Sequence, residues 1–342
     1  MCKTNTRKIL LTVVADILVF AAALLTFAWF HHAKPNQYKP SRILNTPIPT
    51  VLPTATPAAT PSGTDNPSGS ETPMPTEEPT PEPTGLLKGK YADKFTDGEI
   101  LVTNDAYRSR DICIEFQSVS TKVQGYAVTY YVADVYIQDI DSFRTENAQT
   151  NNNKERLEAM SERVGAIFSV SGDYWMFKKK GLVIRNGELY RDRLNPDQDV
   201  CVVYRDGTMK TYLAGEVNLD EIISNYPLHA WSFGPRLLQD GQPMTEFNCN
   251  DYVSDWHPRC AIGYYEPGHY CFVLVDGRQA GYSYGLPMTE LSKLMYNLGC
   301  TEAYNLDGGM TAMMWYNGSL VSIPCGGGRQ NCDMLYFIEP GN

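Results

Sequence analysis

Runs of β-branched and aromatic residues define a globular region that begins near Leu86. Residues 128–136 are rich in such side chains and predict a strand. Shorter apolar runs predict further strands, among them 166–170, 260–265, 271–275, 303–306 and 334–338. The region therefore contains enough apolar sequence to build a sheet with a buried face.

Two segments carry apolar residues at helical spacing. Leu157, Met160 and Val164 mark one helix face, which follows a polar cluster at 151–153. A second set, spaced i, i+3, i+4 and i+7, consists of Leu291, Leu294, Met295 and Leu298. Gly299 stands where a glycine commonly ends a helix. These patterns predict two amphipathic helices.

Dipeptides that end in glycine separate several neighbouring strands. Asn186-Gly187 and Asp206-Gly207 suit type I′ turns, and Asn317-Gly318 predicts a last hairpin. Many strands with few helices indicate an α+β domain, with a largely mixed β-sheet and a few flanking helices. The regular strand–helix alternation of a TIM barrel or a doubly wound fold is missing from the sequence.

An apolar run at residues 9–30 precedes the globular region and contains one acidic residue, Asp16. At about 1.5 Å per residue it can cross a bilayer core of roughly 30 Å. A cleaved signal peptide is the alternative, but the run is long for one and lacks a clear A-x-A site. We therefore expect a cytoplasmic tail at 1–8 and a transmembrane helix at 9–30.

A Pro/Thr-rich stalk is expected at residues 31–85. More than half of the chain's 22 prolines lie there, and its composition cannot bury a core. Such a spacer suits an outer matrix, so we expect a single-pass cell-membrane protein whose domain lies outside the cytoplasm. We divide the remainder into an N-terminal part (86–159) and a C-terminal domain (160–342).

The net charge of −10 excludes an electrostatic attraction to nucleic acid, and we expect no such partner. The cysteines leave several disulfide pairings open; the pairs nearest in sequence are Cys249/Cys260 and Cys325/Cys332. Cys201 and Cys271 are expected to be small buried residues. Neither a C-x-x-C pair nor a histidine cluster is present, so we expect no structural metal site.

Three predicted strands end in an aspartate beside a glycine: Asp173, Asp276 and Asp307. Around Asp307 the sequence continues with Gly308 and Gly309, which let backbone N–H groups approach a ligand closely, and with the hydroxyl of Thr311. The ordinary alternative is an Asp-Gly hairpin turn, for Asp276 as well as for Asp307.

Groups of these types suit cleavage of the bond between C1 of a sugar and a phosphate. The leaving phosphate is a weak base, so its charge must be neutralised and a carboxylate must support attack at the anomeric carbon. We assign the carboxylate role to Asp307, Asp173 and Asp276. The residues assigned to the phosphate or the substrate are Arg259, Arg278, Gly172, Gly308, Gly309 and Thr311.

Structural alternatives exist for Arg259 and for the neighbouring His257. Arg259 is also suited to an ion pair with an acidic neighbour such as Asp255. His257 is either an acid or an ordinary loop histidine, and we favour the loop.

Five short motifs occur in the order found in the phosphodiester glycosidase family, which the chain resembles over residues 160–340. They are Ser171-Gly172-Asp173-Tyr174, Phe233-Gly234-Pro235 with Asp240-Gly241, Arg259-Cys260-Ala261-Ile262-Gly263, Val275-Asp276-Gly277-Arg278 and Asn305-Leu306-Asp307-Gly308-Gly309. The resemblance implies hydrolysis of a sugar–phosphate diester to the free sugar and a phosphomonoester.

The sequence departs from the family pattern at three positions. Ser171 stands where the family often has Asn, and Cys260 where it has Thr. Met310 replaces a glycine of the family's Asp-Gly-Gly-Gly-Ser turn. Because Met310 carries a Cβ, which disfavours positive φ, we expect a different turn or a narrower pocket there.

The sequence thus predicts an anchored, outward-facing hydrolase that cleaves a sugar-1-phosphodiester in an envelope glycan or exopolysaccharide. The proposed chemistry requires no cofactor; a divalent cation is compatible with the carboxylates, although no ligand set demands one. One alternative is a non-catalytic protein that binds or organises surface polysaccharide. Another is a metal-dependent phosphoesterase that cuts P–O rather than C–O.

Overall fold

A computed structural model describes residues 19–22, 39–44 and 85–341. The first strands are β1 Arg42–Ile43, β2 Leu101–Val102, β3 Ala106–Arg108, β4 Ile112–Val123, β5 Tyr126–Ile137, β6 Phe143–Asn147 and β7 Phe168–Ser171. The next are β8 Val183–Arg185, β9 Glu188–Arg191, β10 Val200–Tyr204, β11 Met209–Tyr212, β12 Pro227–Trp231, β13 Leu238–Gln239 and β14 Gln242–Pro243. The last are β15 Arg259–Glu266, β16 His269–Val275, β17 Glu302–Asn305, β18 Met314–Tyr316, β19 Ser319–Leu320 and β20 Asp333–Phe337.

In the segment 85–341 the α-helices are α1 Leu157–Val164, α2 Leu219–Ser224, α3 Asp251–Ser254 and α4 Met288–Asn297, and the described residues 19–22 are also helical. The two amphipathic helices predicted from spacing are α1 and α4. Gly165 and Gly299, with φ of 65° and 88°, follow them in the left-handed conformation that ends a helix without a Cβ clash.

The strands form three larger sheets and the β13–β14 hairpin. The seven-stranded sheet has the order β17-β15-β16-β5-β4-β3-β2, the six-stranded sheet β1-β9-β8-β12-β10-β11, and the five-stranded sheet β19-β18-β7-β20-β6. The α+β class with few helices agrees with the expectation. We expected a largely mixed sheet, whereas the ladders between the described strands are antiparallel. Short turns join neighbours such as β4–β5 and β15–β16, and so short a connection permits only antiparallel pairing.

The centre of the fold is β16, which is buried along its whole length. Tyr270, Phe272 and Leu274 face the main core, which also holds side chains of the five- and six-stranded sheets. The alternate residues, Val273 among them, face a second cluster that α4 covers. Both faces of β16 are therefore packed, which explains its uninterrupted apolar sequence.

The expected boundary at residue 160 runs through shared sheets. β5 pairs with β16, and β6 pairs with β20. Strands from 86–159 and strands from 160–342 therefore contribute to one core.

The predicted turns differ in detail. Asn186-Gly187 and Asn317-Gly318 have positive φ at both residues, as a type I′ turn requires. In Asp206-Gly207 only Gly207 has a positive φ, of 81°. Asp206 Oδ1 instead accepts a hydrogen bond from the amide of Thr208 at 3.0 Å, which holds a different turn.

Most of the predicted transmembrane helix and stalk lies outside the described residues. No helix within the described segments has the length and apolar character needed to span a bilayer.

Candidate active site

A cavity of about 280 Å³ opens where the end of β17 meets the start of β15. Its wall consists of Phe233, Tyr252, Val253, His257, Pro258, Arg259, Arg278, Asn305, Asp307, Gly308, Gly309, Met310 and Arg329. The fold thus brings Arg259, Arg278 and the Asp307-Gly308-Gly309 turn to one place.

Asp307 follows the end of β17 by two positions, after Leu306, and the residue as a whole is half-buried in the cavity wall. Its backbone amide donates a hydrogen bond to the carbonyl oxygen of Gly172 at 2.9 Å. Burial raises the pKa of the Asp307 carboxyl to about 6; hydrogen bonding to the Thr311 side chain and, to a smaller extent, the charge of the Arg329 guanidinium oppose this rise. The group therefore exchanges a proton near neutral pH, as a carboxylate that supports attack by water should.

The residues after Asp307 shape the turn. The amide of Gly309 donates to the carbonyl oxygen of Pro258 at 2.9 Å, and a Cβ at Gly308 would lie 2.6 Å from that oxygen. The Thr311 hydroxyl donates to the carbonyl oxygen of Gly308 at 2.6 Å. Since the Gly309 amide and the Thr311 hydroxyl already have partners, both hold the turn in place.

Met310 fits this turn without strain. Positive φ falls on Gly309 (65°), and Met310 lies in the 3₁₀ turn Gly309–Thr311 outside the left-handed region. Its side chain lines the cavity and is partly exposed. The methionine therefore affects the width of the pocket rather than the backbone.

Arg259 is buried and reaches the cavity from the first position of β15. Its Nε donates to the carbonyl oxygen of Leu286 at 2.8 Å, and its Nη2 donates to the carbonyl oxygen, not the carboxylate, of Asp255. Burial lowers the pKa of Arg259 to about 10, so the guanidinium stays charged at neutral pH. Among the described residues it has no carboxylate partner, which leaves its charge available to an anion.

Arg278 stands on the exposed rim, with a backbone φ of 57°. Its Nη2 lies 3.1 Å from Nδ1 of His257 and 3.4 Å from the Tyr252 hydroxyl. His257 Nε2 lies 2.6 Å from the carbonyl oxygen of Tyr252. His257 is thus a loop histidine that also borders the cavity.

Asp173 lies behind the cavity wall. One carboxylate oxygen is 3.1 Å from the guanidinium of Arg185, and that guanidinium is also 2.9 Å from the Asp333 carboxylate. All three side chains are almost completely buried. The charge of Asp173 raises the pKa of Asp307 further, although Arg185, which Asp173 shares with Asp333, partly balances that charge.

Gly172 supports the same region from its backbone. Its amide donates to the carbonyl oxygen of Asp333 at 3.1 Å, and a Cβ would collide with the Asp333 carboxylate. Gly172 thus positions Asp307 through its own carbonyl oxygen and is required at this close approach.

Asp276 lies apart from the cavity wall. Its Oδ2 accepts hydrogen bonds from the Tyr282 hydroxyl at 2.9 Å and from the amide of Ile323 at 3.0 Å. The carboxylate thereby ties the loop after β16 to the segment at Ile323. This role was not predicted because Tyr282 and Ile323 both lie outside the short motif from which Asp276 was selected.

Three residues that sequence reasoning did not select belong to this region. Arg329 lines the cavity after a glycine run at 326–328, and Asn305 lines it from the end of β17. Lys178 Nζ lies 4.5 Å from the ring centroid of Phe233, a residue of the cavity wall. Burial lowers the pKa of Lys178, while the charges of Asp173 and Asp307 oppose that effect. The run of three lysines at 178–180 is the sequence feature from which Lys178 could have been selected.

The cavity is positively charged although the chain's net charge is −10. Three guanidinium groups, those of Arg259, Arg278 and Arg329, share its wall with the carboxyl group of Asp307. Such an arrangement suits a phosphate ester next to a group that acts at a neighbouring carbon.

Within the described residues, Asp173, Cys332 and Asp333 form a cluster with metal-binding donor atoms close together. Arg185 already pairs with both carboxylates of this cluster. The guanidinium therefore supplies the positive charge that a cation would bring there.

The profile of the phosphodiester glycosidase family matches residues 164–338, which include Asp173, Arg259, Asp307 and Arg329. The chain belongs to this family. Phosphodiester glycosidases are hydrolases, and the motifs that carried the resemblance converge on the cavity and the wall behind it.

One curated relative is the SPbeta prophage-derived uncharacterized protein YomE of Bacillus subtilis strain 168. It is 30% identical over 200 residues, which are 55% of this chain. The chain spans 30% of the length of this relative.

Two solved structures share the fold. The catalytic domain of zebrafish N-acetylglucosamine-1-phosphodiester alpha-N-acetylglucosaminidase, auto-inhibited by its pro-peptide, has a TM-score of 0.56 at 20% identity and covers 70% of this chain and 88% of its own. A hypothetical protein from Synechocystis has a TM-score of 0.51 at 12% identity, covering 70% and 64% respectively. At such identities the likeness concerns the fold of this phosphodiester glycosidase domain.

Proposed function

We propose that this protein is a membrane-anchored, outward-facing phosphodiester glycosidase that releases a sugar from a sugar-1-phosphodiester of an envelope glycan or exopolysaccharide. The observation that carries the proposal is the cavity in which Asp307 faces three guanidinium groups. Family membership supports the reaction class. The apolar run at 9–30 and the Pro/Thr-rich segment at 31–85 support the anchor and its stalk.

In the proposed reaction Arg259 binds the phosphate from the buried side, and Arg278 and Arg329 bind it from the rim. Guanidinium groups hold phosphate oxygens in pairs and stabilise the charge that grows as the ester leaves. Since a phosphomonoester is a good leaving group, the reaction proceeds without prior protonation of the bridging oxygen.

Asp307 acts at the anomeric carbon. As the carboxylate, it takes a proton from a water molecule whose oxygen forms the new bond to C1 of the sugar. The bond between C1 and the bridging oxygen breaks, and its electron pair leaves with the phosphomonoester. Gly172 and Thr311 keep the Asp307 turn in position, and Asp173 raises the proton affinity of Asp307 from behind.

The test uses the full-length protein in detergent and the methyl diester of N-acetylglucosamine 1-phosphate, the linkage named for the zebrafish structural relative. We expect free N-acetylglucosamine and methyl phosphate as products. Asp307→Asn should lose nearly all turnover. The matched control is Asp240→Asn, an exposed turn residue with φ of 50° that asparagine also adopts.

Labelled water identifies the bond that is cut. In oxygen-18 water, attack at C1 places the label in the sugar, whereas cleavage of P–O places it in the phosphate. Label in the phosphate, or an Asp307→Asn protein as active as Asp240→Asn, would overturn the proposal.

A further inference from the structure

Four aromatic residues form an exposed strip beside the cavity; this aromatic strip consists of Tyr126, Tyr252, Trp256 and Tyr284. The exposed fractions are 68% for Tyr252, 47% for Tyr126 and 40% for Tyr284, and Trp256 is half-buried. Single exposed aromatics are ordinary on protein surfaces. A contiguous group of them, next to a pocket, marks a binding surface.

Three of the four rings are joined by direct contacts. The ring centroid of Tyr126 lies 4.9 Å from that of Trp256 and 5.0 Å from that of Tyr284. Both ring pairs are tilted, by 58° and 54° respectively. The strip therefore presents ring faces in more than one direction and can contact a ligand that bends.

The strip is continuous with the cavity. The ring of Tyr252 lines the cavity and lies 4.7 Å from the ring of His257, the residue that follows Trp256. A short antiparallel bridge between His257 and Leu286 then places the Trp256 segment beside the Tyr284 segment. A ligand bound in the cavity thus has a direct path onto the aromatic rings.

The backbone under the strip is fixed. The amide of Tyr284 donates to the carbonyl oxygen of Ala127 at 2.9 Å, which joins the loop to the start of β5. Trp256 packs against the cluster of apolar side chains beneath it. The rings are therefore held ready before a ligand arrives, which reduces the entropic cost of binding.

We propose that the aromatic strip binds uncharged sugar residues attached next to the scissile phosphodiester. A pyranose ring has an apolar C–H face that packs on an aromatic ring. The hydroxyl groups around the edge of the sugar donate hydrogen bonds to nearby acceptors. The exposed carboxylates of Asp251 and Asp255, in the same segment as Tyr252 and Trp256, supply such acceptors. The same two charges repel an anionic lipid surface or a densely phosphorylated chain.

The inference rests on the proposed function and deepens it. It makes the substrate an oligosaccharide or polymer with neutral sugars near its phosphodiester, rather than a single sugar phosphate. The cavity acts on the phosphodiester, and the strip holds the chain that leads away from it.

Binding of neutral sugars provides the test, because it does not depend on turnover. Full-length protein is titrated calorimetrically with cellotetraose, chitotetraose and maltotetraose. We expect at least one of the three to bind, and Tyr126→Ala to weaken that binding about tenfold. The matched control is Tyr296→Ala, which removes another exposed tyrosine, on α4, and should leave binding unchanged.

A second measurement connects the strip to catalysis. The ratio of kcat/KM on a phosphodiester carrying a neutral tetrasaccharide to that on the methyl diester should fall in Tyr126→Ala and stay constant in Tyr296→Ala. If no tetrasaccharide binds, or if both variants bind equally, the strip has another role. If Tyr126→Ala turns a dimer into a monomer in light scattering, the occupant is a second copy of the chain. Each of these results overturns the inference, whereas inactivity on the methyl diester alone would count only against the proposed function.

Discussion

The carbonyl oxygen of Gly172 accepts a hydrogen bond from the amide of Asp307 at 2.9 Å. This bond joins the segment after β7 to the turn after β17, and Gly172 is itself packed against Asp333. The position of the Asp307 turn therefore depends on the buried Asp173–Arg185–Asp333 cluster. Two of the three aspartates selected from the sequence thus lie at one wall, one facing the cavity and one behind it.

The pH dependence of activity should follow Asp307. The reaction requires the carboxylate, and burial raises its pKa to about 6, so kcat/KM should rise as pH increases through about 6. The Arg329 guanidinium lowers the pKa of Asp307, so Arg329→Gln should move this limb to higher pH. The measurement is a pH–rate profile on the methyl diester. Arg110→Gln, at the surface by a different cavity, is the control; an unmoved limb in Arg329→Gln would contradict the assignment.

Arg259 should be required as an arginine. In Arg259→Lys the ammonium cannot both donate to Leu286 and offer a paired contact to phosphate, so kcat/KM should fall about a hundredfold. Steady-state kinetics measures the loss, and Arg110→Lys serves as the control. A change of less than about threefold would mean that the phosphate binds elsewhere.

The buried ion cluster should matter for stability. Arg185→Met leaves the Asp173 and Asp333 carboxylates buried without a counter-charge, which should cost about 3–5 kcal/mol of unfolding free energy. Arg163→Met removes a guanidinium that pairs with Glu146 and Glu155 nearer the surface, and should cost about 1 kcal/mol or less. Urea unfolding of both variants decides the matter. Equal losses would show that the cluster contributes no more than a surface pair.

Cys271 and Cys300 should pair when the protein is oxidised. Their sulfur atoms lie 3.4 Å apart in the cluster under α4. With glutathione disulfide as oxidant, the two thiols lose two electrons and two protons, and two molecules of glutathione form. Because both thiols are buried, the oxidant reaches them slowly, and peptide mass spectrometry without reduction should find the 271–300 link after prolonged oxidation. A fully oxidised protein that lacks the 271–300 link would refute this expectation.

The local elements were predictable because local spacing determines them. The helices α1 and α4 and the central strands β15 and β16 follow from apolar periodicity, and the positive φ of Asn186 and Gly187 follows from their residue types. The expected burial of Cys201 and Cys271 is also confirmed. The direction in which neighbouring strands pair could not be predicted in the same way, because the same apolar strand fits a mixed or an antiparallel sheet.

The site was partly predictable. Asp307 and Arg259 were selected from short motifs, which are local features of the sequence, and the structure places both in the wall of one cavity. Asp276 was selected by the same rule, yet its carboxylate binds Tyr282 and the amide of Ile323. Arg329 and Lys178 were missed because their approach to Asp307 depends on packing between segments distant in sequence.

The sequence by itself determined the family, the main helices and strands, and the residue types that hydrolysis of a phosphodiester requires. Only the tertiary structure decided which aspartate faces the cavity and which one is neutralised by Arg185 behind it. It also placed Tyr126 beside Trp256 and Tyr284. The physical reason is that charge balance and burial depend on neighbours from other strands, whereas periodicity and turn chemistry depend on neighbours in the chain.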